Sequence, residues 1–236
     1  MVEENKVDSY NEMVGSLTGF DCPICKNKGS TAYLRDGIFT TKDCVCLNKR
    51  RSLKRMEESG LKPVLEAYTF DNYETPDSWQ KTALQKALSF ALNPNGWFVI
   101  AGSPGTGKTH LCTAICGTLL DQNKSIRYML WREEAPKLKS LVTDTENYQK
   151  LMQDYKTCDV LYIDDFWKGS VTDADINLSF ELLNSRYNDR SKITILSGEK
   201  TVEEMLDIDE AIGSRIYERS KGNLIKTPEG KNYRLR

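Results

Sequence analysis

The stretch Gly102-Ser103-Pro104-Gly105-Thr106-Gly107-Lys108-Thr109 lies between an apolar run at residues 97–101 and a helical pattern that begins at Lys108. A strand, a glycine-rich loop and a helix in this order form a cradle for phosphate groups, because the N–H groups of the loop and the positive end of the helix face the negative charge. A turn without a phosphate partner is the alternative, and the flanking strand and helix argue against it. The sequence therefore predicts that this chain binds a nucleoside triphosphate.

A second chemical feature lies downstream, where the apolar stretch 159–165 ends in two carboxylates, Asp164 and Asp165. Asp164 follows Thr109 by 55 residues, and a second strand at this position would bring an acid to a magnesium ion bound with the phosphates. An acidic strand end by itself is usually only the solvated start of a loop. Together with the glycine-rich loop, it predicts Mg²⁺ in the nucleotide site.

The composition fits one domain of standard size with a small attachment. The 236 residues are 39% hydrophobic and 28% charged, and the formal net charge of −1 gives no overall signal for nucleic-acid binding. Residues 22–55 hold nine Lys and Arg against two Asp and Glu, and residues 213–236 hold seven against two. Each of these basic segments could contact a phosphate backbone or be a solvated surface.

The sequence shows no sign of a membrane or export signal. No apolar stretch approaches the ~18 residues of a membrane-spanning helix, and the N-terminus is too acidic for a signal peptide. We therefore expect no membrane association and a cytoplasmic protein. In a reducing compartment its seven cysteines are not expected to form disulfides.

Four cysteines form two closely spaced pairs, Cys22 with Cys25 and Cys44 with Cys46, separated by 18 residues. Each pair can direct two thiolates to one tetrahedral ion, and the residues between the pairs indicate a hairpin. The spacing predicts a structural Zn²⁺ site, with a redox pair or free thiols as the alternatives. The other three cysteines are expected to be buried small residues: Cys112, Cys116 and Cys158.

Strands and helices alternate along most of the chain. The predicted strands are 97–101, 126–131, 160–164 and 192–197. The predicted helices are 3–15, a basic helix from Leu47 to near Gly60, 78–91, 108–121, 146–156, 173–189 and 208–219. The alternation predicts a mainly parallel sheet covered on both faces, with the functional site at the carboxyl ends of its strands.

The order of these segments resembles the AAA+ ATPases, and among them the replicative helicase loaders of the DnaC/DnaI type, including those that phages carry. The resemblance covers nearly the whole chain and rests on the succession of motifs, since the glycine-rich loop is common to all P-loop proteins. Besides the cysteine-rich N-terminal module, the matching stretches are 68–73, 102–111, 161–165, 184–187, 194–197 and 212–219.

The resemblance implies an α/β fold with an AAA+ P-loop NTPase core and a mainly parallel sheet, a lid that is minimal or absent, and a small N-terminal zinc-binding module. A minimal lid is expected because only 17 residues follow Arg219. The implied division is a zinc-binding, helicase-interaction module at 1–60, a linker at 61–76 and the AAA+ ATPase domain at 77–236.

The resemblance also assigns roles in ATP chemistry. Lys108 contacts the β- and γ-phosphates, Thr109 places its hydroxyl on Mg²⁺, and Asp164 holds the water shell of that ion. The remaining nucleotide-binding residues are Gly102, Pro104, Gly105, Thr106 and Gly107. Asp165 stands where many AAA+ ATPases have a glutamate that polarises the attacking water, and because aspartate is shorter we expect slow hydrolysis that assembly or DNA stimulates. His110, the only histidine, is expected to be structural.

Further roles follow from the later motifs. Ser197 resembles the polar sensor of the γ-phosphate, although a strand-end hydroxyl that caps a turn is the alternative. Arg215 matches the arginine finger that is donated to the nucleotide of a neighbouring subunit. Arg219 serves either the same interface or a local salt bridge. Without a lid, base contacts are expected from a neighbouring subunit and from the connector around Phe70 and Tyr73.

The resemblance implies an ATP-controlled loader that binds a hexameric replicative helicase through its N-terminal module. Its ATPase domain is expected to self-associate and to bind single-stranded DNA, in the host cytoplasm if a phage encodes it. Three alternatives are an IstB-like transposition-helper ATPase, a small-molecule P-loop kinase, and a zinc-ribbon adaptor that uses nucleotide only as a structural switch. The four cysteines favour the loader over the first, Arg215 and the paired aspartates argue against the second, and measurable turnover would argue against the third.

Overall fold

The computed structural model describes residues 2–58 and 62–235. The chain divides into two compact units, residues 1–54 and 55–236. The predicted module boundary at residue 60 and the predicted helix end near Gly60 lie outside the described residues. No helix in the described part of the chain is long and apolar enough to cross a membrane.

A β-hairpin forms the centre of the first unit. Strands β1 (Ser30–Arg35) and β2 (Ile38–Asp43) pair antiparallel, and the two residues between them, Asp36 and Gly37, have φ values of 52° and 76°. Two left-handed residues give the tight turn whose twist matches that of the flanking strands. The hairpin predicted between the cysteine pairs is confirmed.

Two helices flank this hairpin in sequence. Helix α1 (Val2–Glu12) ends earlier than the predicted 3–15, and the Asn11 side chain near its end exchanges hydrogen bonds of 2.9 Å with the backbone N–H and C=O of Ala32. This exchange fixes α1 against β1. Helix α2 (Cys46–Glu58) begins at the last cysteine of the second pair.

The second unit is organised around a five-stranded parallel sheet. Its strands are β3 (Trp97–Ala101), β4 (Ile126–Leu130), β5 (Val160–Asp164), β6 (Ile193–Gly198) and β7 (Leu224–Lys226). They lie in the order β4-β5-β6-β3-β7, with every neighbouring pair parallel. The predicted α/β class with a mainly parallel sheet is confirmed.

The helices of the second unit connect and cover these strands. They are α3 (Lys62–Ala67), α4 (Ser78–Leu92), α5 (Lys108–Asp121), α6 (Trp131–Ser140), α7 (Thr145–Thr157), α8 (Asp173–Asn188), α9 (Val202–Ile208) and α10 (Glu210–Arg219), and a 3-10 turn follows at Tyr233–Leu235. Residues 220–235 contain no further helix besides this turn.

The order of the strands positions the site. Strands β3 and β5 are buried at all five residues, as expected for central strands of a sheet covered on both faces. Strand β6 pairs with both of them, so the segments that follow β3, β5 and β6 emerge side by side at one edge of the sheet. The glycine-rich loop follows β3, Asp164 is the last residue of β5 with Asp165 directly after it, and Ser197 is the residue before the end of β6.

Candidate functional site

The glycine-rich loop adopts the backbone that its glycines permit. Gly105 and Gly107 have φ values of 71° and 84°, in the left-handed region that other residues rarely enter. A Cβ atom on Gly107 would lie 2.9 Å from the ring of Tyr73, so a larger residue has no room there. The loop ends at Lys108, where α5 begins, so the helix N-terminus faces the loop as predicted.

Lys108 directs its ammonium group into the loop. The side-chain Nζ donates hydrogen bonds of 2.8 and 2.6 Å to the carbonyls of Gly102 and Ser103, and the residue is only 8% exposed. Burial lowers the pKa of this ammonium, while the carboxylates of Glu199 and Asp165 act in the opposite direction. The ammonium is therefore held at the place where a polyphosphate would meet the loop.

Asp164 is a buried carboxylate surrounded by hydroxyl groups. Thr109 Oγ1 donates to its Oδ1 at 3.4 Å, Tyr128 donates to its Oδ2 at 3.3 Å, and the Ser197 hydroxyl also donates to Oδ1. Burial raises the pKa of Asp164, the hydrogen bond from Ser197 lowers it, and the charge of Asp165 raises it again. A set of hard oxygen donors of this kind fits Mg²⁺, and Thr109 and Asp164 are the residues that would hold it.

Ser197 thus lies in the core of the site rather than on its surface. It is 1% exposed, and its hydroxyl is also 3.3 Å from that of Tyr162. Ser197 was interpreted either as a sensor of the γ-phosphate or as a hydroxyl that caps a turn. Both interpretations place it at the end of a strand, and it lies one residue before the end of β6. Its observed partner is the Asp164 carboxylate, so it links β6 to the candidate Mg²⁺ ligand.

Asp165 lies next to Asp164, but its carboxylate contacts Lys168 rather than the hydroxyl groups around Asp164. Its backbone has φ of 53° and its N–H donates to Asp164 Oδ1 at 3.0 Å. Its carboxylate forms an ion pair with Lys168, 3.1 Å away, and Lys168 is also 3.1 Å from a carboxylate oxygen of Glu199. Lys168 and Glu199 were not singled out from the sequence, where each is one charged residue among many.

The loop from Pro104 to Thr109, together with Asp165, lines a cavity of about 430 Å³, a size suited to a small ligand, whereas Gly102, Asp164 and Ser197 are not among its lining residues. The connector before α4 forms one wall. Tyr68 stacks on His110 with ring centroids 4.7 Å apart, Tyr73 meets the same imidazole edge-on, and His110 Nε2 is 2.8 Å from the Thr69 carbonyl. Tyr68 and Tyr73 of this connector line the cavity, whereas Phe70 is not among its lining residues.

The C-terminal segment forms another wall that the sequence did not predict. The N–H of Tyr233 donates to the Gly105 carbonyl at 2.9 Å. Its hydroxyl donates to Asp77, which also pairs with Lys231 at 3.3 Å, and it accepts from Trp79 Nε1 at 3.2 Å. These contacts place residues 231–234 directly over the glycine-rich loop.

Arg215 lies apart from the cavity of its own chain, outside its lining residues. Its Nε donates to Asn184 Oδ1 at 3.1 Å, and its guanidinium lies 5.0 and 5.4 Å from the ring centroids of Phe180 and Tyr187. Phe180, Asn184 and Tyr187 of helix α8 therefore form a polar and aromatic binding surface, called here the Arg215 seat, for the Arg215 side chain of α10. The role of Arg215 as a finger for a neighbouring chain stays a prediction.

Two other arginines stabilise the fold. Arg186 is fully buried and donates to the carbonyls of Tyr155, Cys158 and Ile193 at 2.9, 3.0 and 2.5 Å. Arg219 is also buried, and its Nη2 donates to backbone carbonyls at 3.4 and 3.2 Å. These partners are carbonyls rather than the carboxylate of the predicted local salt bridge, and the role of Arg219 at a subunit interface stays a prediction.

The basic segments are largely occupied by contacts within the chain. In the first unit, Arg50 donates to the Phe20 carbonyl and to Asn27 at 2.8 Å each, and Lys49 lies 4.9 Å from the Phe20 ring centroid. Near the C-terminus, Lys226 lies 3.7 Å from Glu203. Arg50, Lys49 and Lys226 therefore have partners within the chain.

The four predicted metal ligands come together. Their Sγ atoms all lie within 4.8 Å of one another, with 3.8 Å between Cys22 and Cys44 and 3.5 Å between Cys25 and Cys46. Tetrahedral Zn²⁺ with bonds of ~2.3 Å separates its sulfur ligands by ~3.8 Å. All four are buried, so the cluster has the ligands and the geometry to bind zinc. The other three cysteines are buried as predicted: Cys112, Cys116 and Cys158.

Comparison with known proteins agrees with this arrangement. The family described as "IstB-like ATP binding protein" matches residues 32–236. The chain belongs to this family. As an IstB-like protein, it has an AAA+ core that binds ATP, and the match includes the second cysteine pair, Cys44 and Cys46.

Individual relatives of this IstB-like protein include phage and replication proteins. It is 27% identical over 221 residues to the phage-like element PBSX protein XkdC of Bacillus subtilis. This match covers 87% of this chain and 82% of XkdC. It is also 27% identical over 179 residues to the replicative helicase loader DnaC of Escherichia coli K12. This match covers 74% of this chain and 71% of DnaC. A crystal structure of the DnaC helicase loader superposes with a TM-score of 0.58 at 24% identity, over 70% of this chain and 98% of that chain, and shares the fold.

Proposed function

We propose that this protein is an ATP-controlled loader that binds a hexameric replicative helicase and helps to place it on single-stranded DNA. The observation that carries the proposal is the combination of a four-cysteine unit with an IstB-like ATP-binding unit that is similar to DnaC over most of both chains. The first unit is the proposed helicase-binding part, and the second binds nucleotide and single-stranded DNA. The site of action is the cytoplasm, and that of the host if a phage carries the gene.

The residues of the nucleotide site divide the proposed ATP chemistry among them. Lys108 binds the β- and γ-phosphates, and Thr109 and Asp164 hold Mg²⁺, which neutralises charge on the phosphates when it is bound. Asp165 accepts a hydrogen bond from the attacking water and orients it towards the γ-phosphate. Hydrolysis is slow because the Asp165 side chain is one methylene shorter than the glutamate that many AAA+ ATPases have at this place.

Self-association completes the proposed site. The chain's own Arg215 lies outside its nucleotide cavity and presents a guanidinium from α10. In an assembly, this group reaches the nucleotide of the neighbouring subunit and stabilises negative charge on the γ-phosphate oxygens. ATP turnover is therefore expected to rise on assembly or on DNA.

An IstB-like transposition helper is the second candidate, because the matching family is named for that protein. Such a helper would share the ATP-binding unit and the DNA-binding surface but would act with a transposase. The two candidates differ in their partner rather than in their chemistry. Cys22 and Cys25, the first half of the cysteine cluster, lie outside the matched residues and favour the loader.

The test is capture of the partner with the intact chain. Tagged protein, expressed in its native cell and recovered with ATP and Mg²⁺, is expected to retain a hexameric helicase. The same helicase, purified, should then transfer to single-stranded DNA only when the chain and ATP are present, and Lys108→Ala should abolish the transfer. Recovery of a transposase without a helicase would overturn the loader proposal in favour of the second candidate.

A further inference from the structure

Three charged side chains at the nucleotide cavity form one ionic cluster, which we call the acid–lysine–acid cluster: Asp165, Lys168 and Glu199. Lys168 Nζ lies 3.1 and 3.3 Å from the two carboxylate oxygens of Asp165 and 3.1 Å from one oxygen of Glu199. All three side chains line the cavity, and each is about one-third exposed. The ammonium group therefore bridges the end of β5 to the end of β6.

The backbone around the cluster holds these groups in place. Asp165 and Trp167 have φ values of 53° and 54°, a left-handed conformation that non-glycine residues rarely adopt. The turn is fixed from both sides, since Phe166 N–H donates to the Ser197 carbonyl at 2.9 Å and Trp167 Nε1 donates to Ser179 at 2.8 Å. Two left-handed residues in a fixed turn bring Lys168 back over Asp165, where its N–H also donates to the Asp165 carbonyl at 3.1 Å.

The contact affects what the Asp165 carboxylate can do. A carboxylate that orients an attacking water must offer a lone pair to that water. Both Asp165 oxygens are within hydrogen-bonding distance of one ammonium, and hydrogen bonds between two charged groups are the strong ones. Water thus competes with Lys168 for the same oxygens.

We propose that Lys168 is a positioning residue that restrains Asp165 and limits ATP hydrolysis, and that Glu199 is the alternative anchor that lets the ammonium leave Asp165. The inference rests on the proposed role of Asp165 in orienting water. Glu199 lies within reach of the same Nζ, so the lysine can move off Asp165 without losing a charged partner. The balance between the two carboxylates then sets the fraction of chains in which Asp165 is available.

The charges of the cluster also act on the nucleotide. Two carboxylates and one ammonium carry a net charge of −1 beside Lys108. All three charges act on the pKa of Lys108: the two carboxylates raise it and Lys168 lowers it. Removing the ammonium leaves −2 facing a polyphosphate, whereas removing the Glu199 charge leaves 0. Loss of the Lys168 charge should therefore raise turnover and lower ATP affinity. Loss of the Glu199 charge should do the reverse, with lower turnover and higher ATP affinity.

The experiment uses the intact chain with MgATP. Lys168→Gln should raise kcat by about three- to tenfold and weaken the binding of a fluorescent ATP analogue by a similar factor. Glu199→Gln should lower kcat and tighten the binding of the analogue. Lys168→Arg keeps a cation that can pair with both acids and should stay close to the parent rate. Lys200→Gln removes a positive charge from a residue that does not line the cavity and should change neither quantity.

Variants of Asp165 separate this inference from the proposal on which it rests. If Asp165→Asn turned over ATP at the parent rate, the water-orienting role of Asp165 would be wrong and the inference would fall with it. If Asp165→Asn were slow but Lys168→Gln were no faster than the parent, only the role of Lys168 would be overturned. The double variant should be as slow as Asp165→Asn, and a faster double variant would show that the gain does not pass through Asp165. If Lys168→Gln fails to fold, Glu199→Gln decides the inference. A lower kcat with tighter binding of the analogue supports it, and an unchanged or higher kcat overturns it.

Discussion

Lys108 and Asp165 act on different steps of the proposed ATP cycle. Lys108→Ala removes the buried ammonium that the loop carbonyls hold, and we expect ATP affinity to fall by about tenfold or more, a change of about 1.4 kcal/mol. Asp165→Asn keeps the size of the side chain and loses only the charge that orients water, so ATP should bind nearly as in the parent while turnover falls by about tenfold or more. Equilibrium binding and steady-state hydrolysis measure the two effects separately. Parent-level turnover in Asp165→Asn would contradict the assignment.

Asp164 is expected to lower the stability of the nucleotide-free protein. Because burial raises its pKa, the ionised carboxylate is disfavoured in the folded chain, and this penalty is present at pH values above the folded pKa. Asp164→Asn should therefore raise Tm at neutral pH by about 2–4 °C, the shift that about 1 kcal/mol produces at this size.

The advantage of Asp164→Asn should shrink as the pH falls through the raised pKa, because the parent carboxyl then becomes neutral as well. Thermal unfolding of both proteins from pH 7 to pH 4, without nucleotide, measures this difference. The same variant should lose the Mg²⁺-dependent part of ATP binding. A Tm difference that grows on acidification would contradict the assigned cause.

At the scale of single elements, α8 and α10 decide how Arg215 is presented. The seat formed by Phe180, Asn184 and Tyr187 holds its guanidinium on the surface of α8. Arg215→Ala should bind ATP like the parent but lose at least about tenfold of the stimulated turnover. Arg190→Ala is the matched control, since Arg190 also stacks on Tyr187 but pairs with Glu218.

Mixing variants tests where the Arg215 side chain acts. A chain with Arg215→Ala keeps an intact nucleotide site, and a chain with Lys108→Ala keeps an intact arginine. Mixed assemblies should regain stimulated hydrolysis if the two groups come from different subunits. The absence of any recovery in mixtures that do assemble would show that Arg215 acts within its own chain or has no catalytic role.

The elements with strong sequence patterns were predicted almost to the residue. The apolar runs of β3 and β5 and the loop before α5 are local signals, and their predicted bounds match the structure. Strand β7 was missed because three residues are too few to show a period. Helix α6 was missed because Pro136 inside it removes a backbone donor and normally marks a helix end.

One predicted helix begins later in the structure, and the helix before it was not predicted. The sequence predicts a helix over 208–219, which corresponds to α10 from Glu210 to Arg219, whereas α9 ends at Ile208. Asp209 separates them, and its carboxylate caps α10 by accepting the Ile212 N–H at 2.8 Å. Aspartate at an N-cap competes with a continuous helix because its side chain satisfies a free backbone donor.

The candidate site was predictable only where its chemistry is local in sequence. The glycine-rich loop and the two aspartates have a fixed spacing within their own segments. Tyr128, Glu199 and Tyr233 reach the site through the packing of separate strands and of the C-terminal segment, which no local pattern encodes. Sequence periodicity reports which face of an element is buried, but it does not report which distant side chain lies against it.

At the scale of the whole molecule, the two units are expected to respond separately to loss of metal. The four cysteines are the buried centre of the first unit, in which the partly buried ring of Phe20 packs against them, so most of its stability should come from bound Zn²⁺. Such a site contributes roughly 10–16 kcal/mol of apparent binding energy to folding. The second unit has its own large core and should not depend on the ion.

Chelation of the intact chain tests this division. A strong zinc chelator should release about one equivalent of zinc, expose the four thiols to a cysteine reagent, and abolish helicase capture, while a fluorescent ATP analogue still binds. Cys25→Ser should reproduce these losses, because the Gly29 N–H and three other thiols converge on Cys25. Loss of ATP binding on chelation would show that the two units fold as one. Less than half an equivalent of zinc in freshly purified protein, with thiols that react at once, would show that the cluster is not a zinc site.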